Sequence, residues 1–79
     1  MSEALTTHEE WNAGHLACGE LVIELRKRLR KMPGEVIKVT ALDPAAPIDI
    51  GAWCNMTGNT VINMDWDTRE FWIRSKTTW

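Results

Sequence analysis

A helix-shaped stripe that stops abruptly and gives way at once to a strand-shaped run is the feature that most constrains this chain. From Cys18 to Met32 the apolar residues Leu21, Val22, Leu25, Leu29 and Met32 recur at i, i+1, i+4, i+8 and i+11, one face of an α-helix. Ile23 falls off that stripe, and the opposite face carries Glu20, Glu24, Lys27, Arg28 and Lys31. Glu24 precedes Arg28 by four, the favourable order for a helical ion pair. Pro33-Gly34 ends the helix, because proline pushes Met32 out of the α region and glycine makes the turn. Glu35 to Ala41 then supplies Val36, Ile37, Val39 and Ala41, the composition of a strand buried largely on both faces.

The rest of the chain can be placed around that pair. Residues 1–9 are polar and aperiodic and read as a flexible leader, with a single domain over 10–79. Glu10 to Leu16 mixes Trp11, Ala13 and Leu16 with polar residues, as an edge strand does. Asp43-Pro44 closes the central strand, and Ala45 to Met56 reads as a second short helix with Asp49 in its first turn and Gly51 as a weak point. Thr57-Gly58-Asn59 is a stop signal. Thr60 to Met64 and Glu70 to Lys76 are strand-like, joined by the hairpin-length Asp65-Trp66-Asp67-Thr68. The order β-α-β-α-β-β predicts a two-layer α/β sandwich, two helices on one face of a four-stranded mixed sheet.

Composition excludes several function classes. An apolar fraction of 44% against 25% charged supports a core and argues against intrinsic disorder. A net charge of −2 gives no global attraction to nucleic acid or anionic membrane, and no apolar run is long enough to span a bilayer. The acidic, polar start lacks the basic and apolar regions of a signal peptide, so the expected location is the cytoplasm. Cys18 and Cys54 are too few for a disulfide scaffold and are expected as thiols. With His8 and His15 they form no Cys-x-x-Cys or His-x-x-x-His pair, and His15 with Cys18 falls short of a ligand set, so no metal or cofactor is expected.

Cys18 stands where the first helix starts. A thiol there faces unpaired backbone N–H groups and the positive end of the helix dipole, and both favour thiolate. Gly19 leaves room for a partner sulfur, whereas the carboxylate of Glu20 works against ionisation. A buried, inert cysteine fits the spacing equally well. His15 reads better as a solvated or capping residue than as a base. Cys54 reads as a packed thiol beside Trp53 rather than as a resolving partner.

Downstream fragments add a resemblance. Leu16-Ala17-Cys18-Gly19-Glu20-Leu21 is followed by Met32-Pro33-Gly34-Glu35-Val36, Asp43-Pro44, Asp49-Ile50-Gly51-Ala52-Trp53-Cys54 and Thr57-Gly58. In that order and spacing the set resembles the TusA/SirA family of small sulfur-carrier proteins, over about residues 10 to 76. The resemblance implies the same β-α-β-α-β-β fold and a persulfide relay on Cys18, loaded by a protein donor and emptied by a protein acceptor, without cofactor. A carrier of the sulfurtransferase type describes this better than an enzyme. Three departures mark a divergent member: Gly19 and Leu21 replace the prolines of the family's Cys-Pro-x-Pro motif, Asn12 stands where an acidic residue is common, and glycine falls at position 14, one residue early.

Two rivals stay beside the carrier reading. One is a non-catalytic interaction or regulatory module of the same fold that has lost sulfur transfer, which the missing prolines favour. The other is nucleic-acid binding through Arg26-Lys27-Arg28-Leu29-Arg30-Lys31, weakened by the short run and acidic balance. The same run reads as a docking patch for an acidic partner, or as cations offsetting a helix C-terminus. Among the tryptophans, Trp53 and Trp72 are expected in the core, Trp66 in the hairpin turn and Trp79 at the terminus.

Overall fold

The structure is a computed structural model describing residues 7–79, Cys18 by its backbone. The elements run β1 (Glu9–Gly14), α1 (Cys18–Arg30), β2 (Val36–Ala41), α2 (Ala46–Thr57), β3 (Thr60–Asp65) and β4 (Glu70–Arg74). The strands form one four-stranded sheet in the order β1-β2-β4-β3. β1 lies parallel to β2, and β4 is antiparallel to both β2 and β3. It follows that β3 runs the same way as β2, with β4 between them. Each helix is therefore a crossover between parallel strands, and both helices start at the same end of the sheet. The expected two-layer α/β sandwich is the architecture observed.

One core joins the layers. Leu21, Leu25 and Leu29 of α1 and Ala46, Ile50 and Cys54 of α2 pack with Ile37, Val39, Phe71 and Ile73 of the sheet. The stripe thus works as its period predicts, with Val22 half-buried at its margin and Ile23 exposed. α1 stops at Arg30, and the N–H groups of Lys31 and Met32 turn back to Arg28 O and Leu29 O. Leu29 O also accepts the hydroxyl of buried Ser75 at 2.7 Å, so the helix end is satisfied from the carboxyl-terminal segment. Gly58, at φ 90, caps α2 by donating its N–H to Cys54 O.

Three expectations need correction. β2 is fully covered on one face only: Ile37, Val39 and Ala41 are buried beneath the helices, while on the other face Val36 is buried and Lys38 and Thr40 are half-buried. Trp72 belongs to that outer face, in register with Lys38 and Asn63, and its neighbours Phe71 and Ile73 take the core positions. The outer face is polar at its centre, where Lys38 Nζ lies 3.5 Å from both Glu10 and Glu70. β1 starts at Glu9, and His8 is already fixed: its N–H donates to Val36 O at 2.8 Å and its Nδ1 accepts the Val36 N–H at 3.0 Å. Residues 8 and 9 are thus held against β2, and residues 1–6, the greater part of the expected leader over 1–9, lie outside the described residues. The β3–β4 turn includes Arg69, which adopts φ 60.

Arg28 locks β1 to α1. It pairs with Glu24 at 3.1 Å, as the spacing predicts, and also with Glu9, and its guanidinium lies 4.5 Å from the Trp11 ring centroid. Both edge strands carry a register shift, between Asn12 and Gly14 in β1 and between Val61 and Asn63 in β3, whereas β2 and β4 pair without interruption. Among the described residues no helix is long and apolar enough to cross a membrane.

The fold rests on the α1 stripe, so Leu25→Ala is expected to lower unfolding stability by about 2–5 kcal/mol. Ile23→Ala, on the exposed side, should stay within about 0.5 kcal/mol. Urea unfolding of both variants checks this, and equal effects would mean that the stripe is not what holds the layers.

Candidate functional site at the start of the first helix

The site is built by the way β1 ends. Ala13 is the extra residue of the β1 bulge, since Asn12 pairs with Thr40 and Gly14 with Ala41. Gly14 takes φ 57, donates its N–H to Asn12 Oδ1 at 2.8 Å, and accepts the Leu42 N–H at 2.8 Å. A left-handed residue is needed at that point, which is why glycine stands at 14. Leu16 returns to pack against the core. Ala17 is extended (φ −70, ψ 156), acts as N-cap without a side-chain cap bond, and α1 begins at Cys18. The first helical bond, Leu21 N–H to Ala17 O at 2.8 Å, lies beyond Cys18, Gly19 and Glu20. Their N–H groups form the positive end of the helix dipole.

The flanks of Cys18 are open. Ala17, Gly19 and Glu20 are exposed, and a Cβ added at Gly19 would meet no atom within 4 Å. His15 is exposed on the preceding turn. Glycine occupies the second helical position, so the backbone there is less restrained than any other residue would make it.

Cys54 presents the opposite environment. It stands in the last turn of α2, is only 2% exposed, and packs in the core that Trp53 borders. Burial pushes its thiol up to about 12, because the charged form would lose its hydration. At neutral pH this sulfur is a neutral, enclosed thiol, as expected for a packed residue.

The basic run divides. Arg28 turns inward to Glu9, Glu24 and Trp11, whereas Lys27, Arg30 and Lys31 line a shallow surface depression on the far half of α1. Arg30 lies twelve residues past Cys18, about 18 Å along the helix. The run is therefore separated from the helix start. Sequence reasoning missed Arg69 altogether. Its Nη2 donates to Asp43 O at 3.0 Å and its own carbonyl accepts the Ala41 N–H at 3.0 Å, so it ties the β3–β4 turn to the β2–α2 connection at the Cys18 end. Its Nε is buried without a partner among the described residues. No local pattern marks an arginine for a positive φ, so nothing in the sequence could have pointed to it.

Comparison with known proteins bears on the same stretch. The family model described as "Sulfurtransferase TusA" matches residues 9–75. A protein named Sulfur carrier protein TusA from Pseudomonas syringae pv. syringae (strain B728a) is 35% identical over 77 residues, covering 94% of this chain and 92% of that protein. Proteins of the same name from Pseudomonas putida (strain GB-1) and Pseudomonas aeruginosa (strain LESB58) are 35% and 34% identical over 68 residues. Each covers 82% of this chain, and this chain covers 85% and 86% of them respectively.

The burial of Cys54 has a pH signature. Its ordinary value of 9.0 rises to about 12 in the folded chain, so the unfolded chain releases the proton first. The stability gained by keeping the thiol neutral is complete below about pH 9 and is lost as pH climbs towards 12. The stability difference between the protein and Cys54→Ala should therefore shrink across that window in denaturant titrations. A difference that stays constant would mean that Cys54 is not enclosed.

Proposed function

This chain belongs to the sulfurtransferase TusA family, and on that premise we propose that it is a cytoplasmic sulfur carrier holding sulfane sulfur as a persulfide on Cys18. The observation that carries the reading is the contrast between the two cysteines. One opens α1 between exposed neighbours at a helix N-terminus, and the other is enclosed and kept neutral by burial.

The chemistry is an exchange without net oxidation. The Cys18 thiolate attacks the terminal sulfur of a donor protein's persulfide. A new S–S bond forms, the donor's S–S bond breaks, and the donor cysteine leaves as thiolate. An acceptor thiolate then attacks the terminal sulfur on Cys18, and Cys18 leaves in its turn. The helix N-terminus favours Cys18 as thiolate both as nucleophile and as leaving group. The open space at Gly19 admits the second sulfur.

A second reading, an interaction module of this fold without sulfur transfer, draws on Gly19 and Leu21 standing where the family carries prolines. Proline at position 19 would restrain the first helical turn at no cost in hydrogen bonds, whereas the N–H at 21 donates to Ala17 O, and here neither proline nor a side-chain cap at Ala17 restrains the turn.

Intact-mass measurement separates the two. Reduced protein incubated anaerobically with glutathione persulfide should gain about 32 Da, one sulfur atom, as thiol–persulfide exchange requires. The gain should vanish in Cys18→Ser and persist in Cys54→Ala. Absence of any gain favours the interaction module, and a gain surviving in Cys18→Ser would move the chemistry elsewhere.

A further inference from the structure

We propose that the end of the molecule where Cys18 stands docks a protein with a basic surface around its own reactive cysteine, and that Trp66 is the apolar anchor of that contact. The inference deepens the carrier reading and rests on it. It starts from topology. The ends of β1, β2 and β3, the starts of both helices and the β3–β4 turn all lie at one end of the sheet. Hydrogen bonds weld these segments together: Leu42 N–H to Gly14 O, Ala41 N–H to Arg69 O, and Arg69 Nη2 to Asp43 O.

Part of the exposed apolar surface lies there, while Ile23, Met56 and Trp79 are exposed elsewhere. Leu42, Ile48 and Trp66 belong to this end, and Ile48 and Trp66 are 77% and 66% exposed. Trp66 is held on an ordered turn, because Asp65 Oδ1 accepts the N–H groups of Asp67 at 2.9 Å and Thr68 at 3.3 Å. A large aromatic side chain displayed to water by a fixed turn is the type that dominates protein interfaces. β3 and β1 are three strand spacings apart, about 14 Å, so Trp66 and the α1 start fit within one contact of ordinary size.

Charge selects the occupant. Glu20, Asp43, Asp49, Asp65 and Asp67 sit at this end, and its cation, Arg69, is half-buried and committed to the Asp43 carbonyl. The opposite end carries Lys27, Arg30, Lys31, Arg74 and Lys76 beside the carboxylates of Glu9, Glu10 and Glu35. A chain of net charge −2 is thus polarised, acidic where Cys18 stands. Such a surface speeds encounter with a positively charged partner and repels a negatively charged one.

The test uses two short peptides, each with one cysteine joined in a mixed disulfide to 5-thio-2-nitrobenzoate and a leucine beside it, one flanked by lysines and the other by glutamates. The Cys18 thiolate attacks the peptide sulfur. The peptide becomes joined to Cys18, the original S–S bond breaks, and the coloured thiolate leaves and is followed by absorbance. In Cys54→Ala protein the lysine peptide should react about tenfold faster than the glutamate peptide at low salt, a ratio of the size that steering provides. Added salt should collapse the ratio. Asp65→Asn with Asp67→Asn, which keeps the Oδ1 acceptor of the turn, should reduce the ratio severalfold. Trp66→Ala should slow the lysine peptide while leaving hydroxyethyl disulfide, a small neutral probe, unaffected. Equal rates for the two peptides, with persulfide uptake intact, overturn the docking surface alone. Discrimination between the peptides without persulfide uptake overturns the carrier reading and leaves the docking surface standing.

Discussion

The burial of one sheet face beneath α1 and α2 governs where everything else can be. Leu21, Leu25 and Leu29 sit over Ile37, Val39 and Phe71 with no exposure, so α1 has one permitted rotation and one permitted height above the sheet. A rigid helix docked in this way carries its first turn to a fixed place beyond the end of β1. The bulge at Ala13, the left-handed Gly14 and the return of Leu16 to the core supply the chain path that reaches it. The candidate site is in this sense an outcome of packing. The helix start keeps its place because the stripe behind it cannot slide.

The same burial encloses the second cysteine. α2 turns Ala46, Ile50 and Cys54 inward, so the second sulfur lies in the layer that excludes water, where ionisation is costly. The departure from the family motif acts at a different level. Gly19 and Leu21 alter how stiffly the helix start is held, while the stripe and the end of β1 still determine where it is. Replacing proline with glycine widens the unfolded ensemble as well as loosening the folded turn, so its cost falls partly on stability.

Much of this was legible in the amino-acid order, for physical reasons that differ by element. The α1 stripe repeats often enough to fix both type and face, and Pro33-Gly34 and Gly58 end their helices by backbone preferences that context cannot override. The face of β2 was misjudged because valine and isoleucine at successive positions describe a central strand without saying which neighbours cover it. Lys38 and Thr40 carried the missing signal, and Glu70 and Arg74 flanking Trp72 carried it for β4, since residues two apart share a face. Cys18 was proposed from the helix start and a likeness of short motifs, whereas the open surroundings at Gly19 and the enclosure of Cys54 depend on tertiary packing. Arg69 and His8 lay beyond reach. Their partners, Asp43 and Val36, are 26 and 28 residues away in the chain, and no periodicity connects such pairs.

The two register shifts have a consequence of their own. A sheet with free margins invites another chain to continue it, and this one has margins at β1 and β3. Each bears its irregularity, at Ala13 and at Ile62, so neither offers a straight row of backbone groups for an incoming strand. Crowded copies of the molecule are thereby kept from zipping into aggregates, while the unbroken ladder between β2 and β4 stays sheltered in the interior.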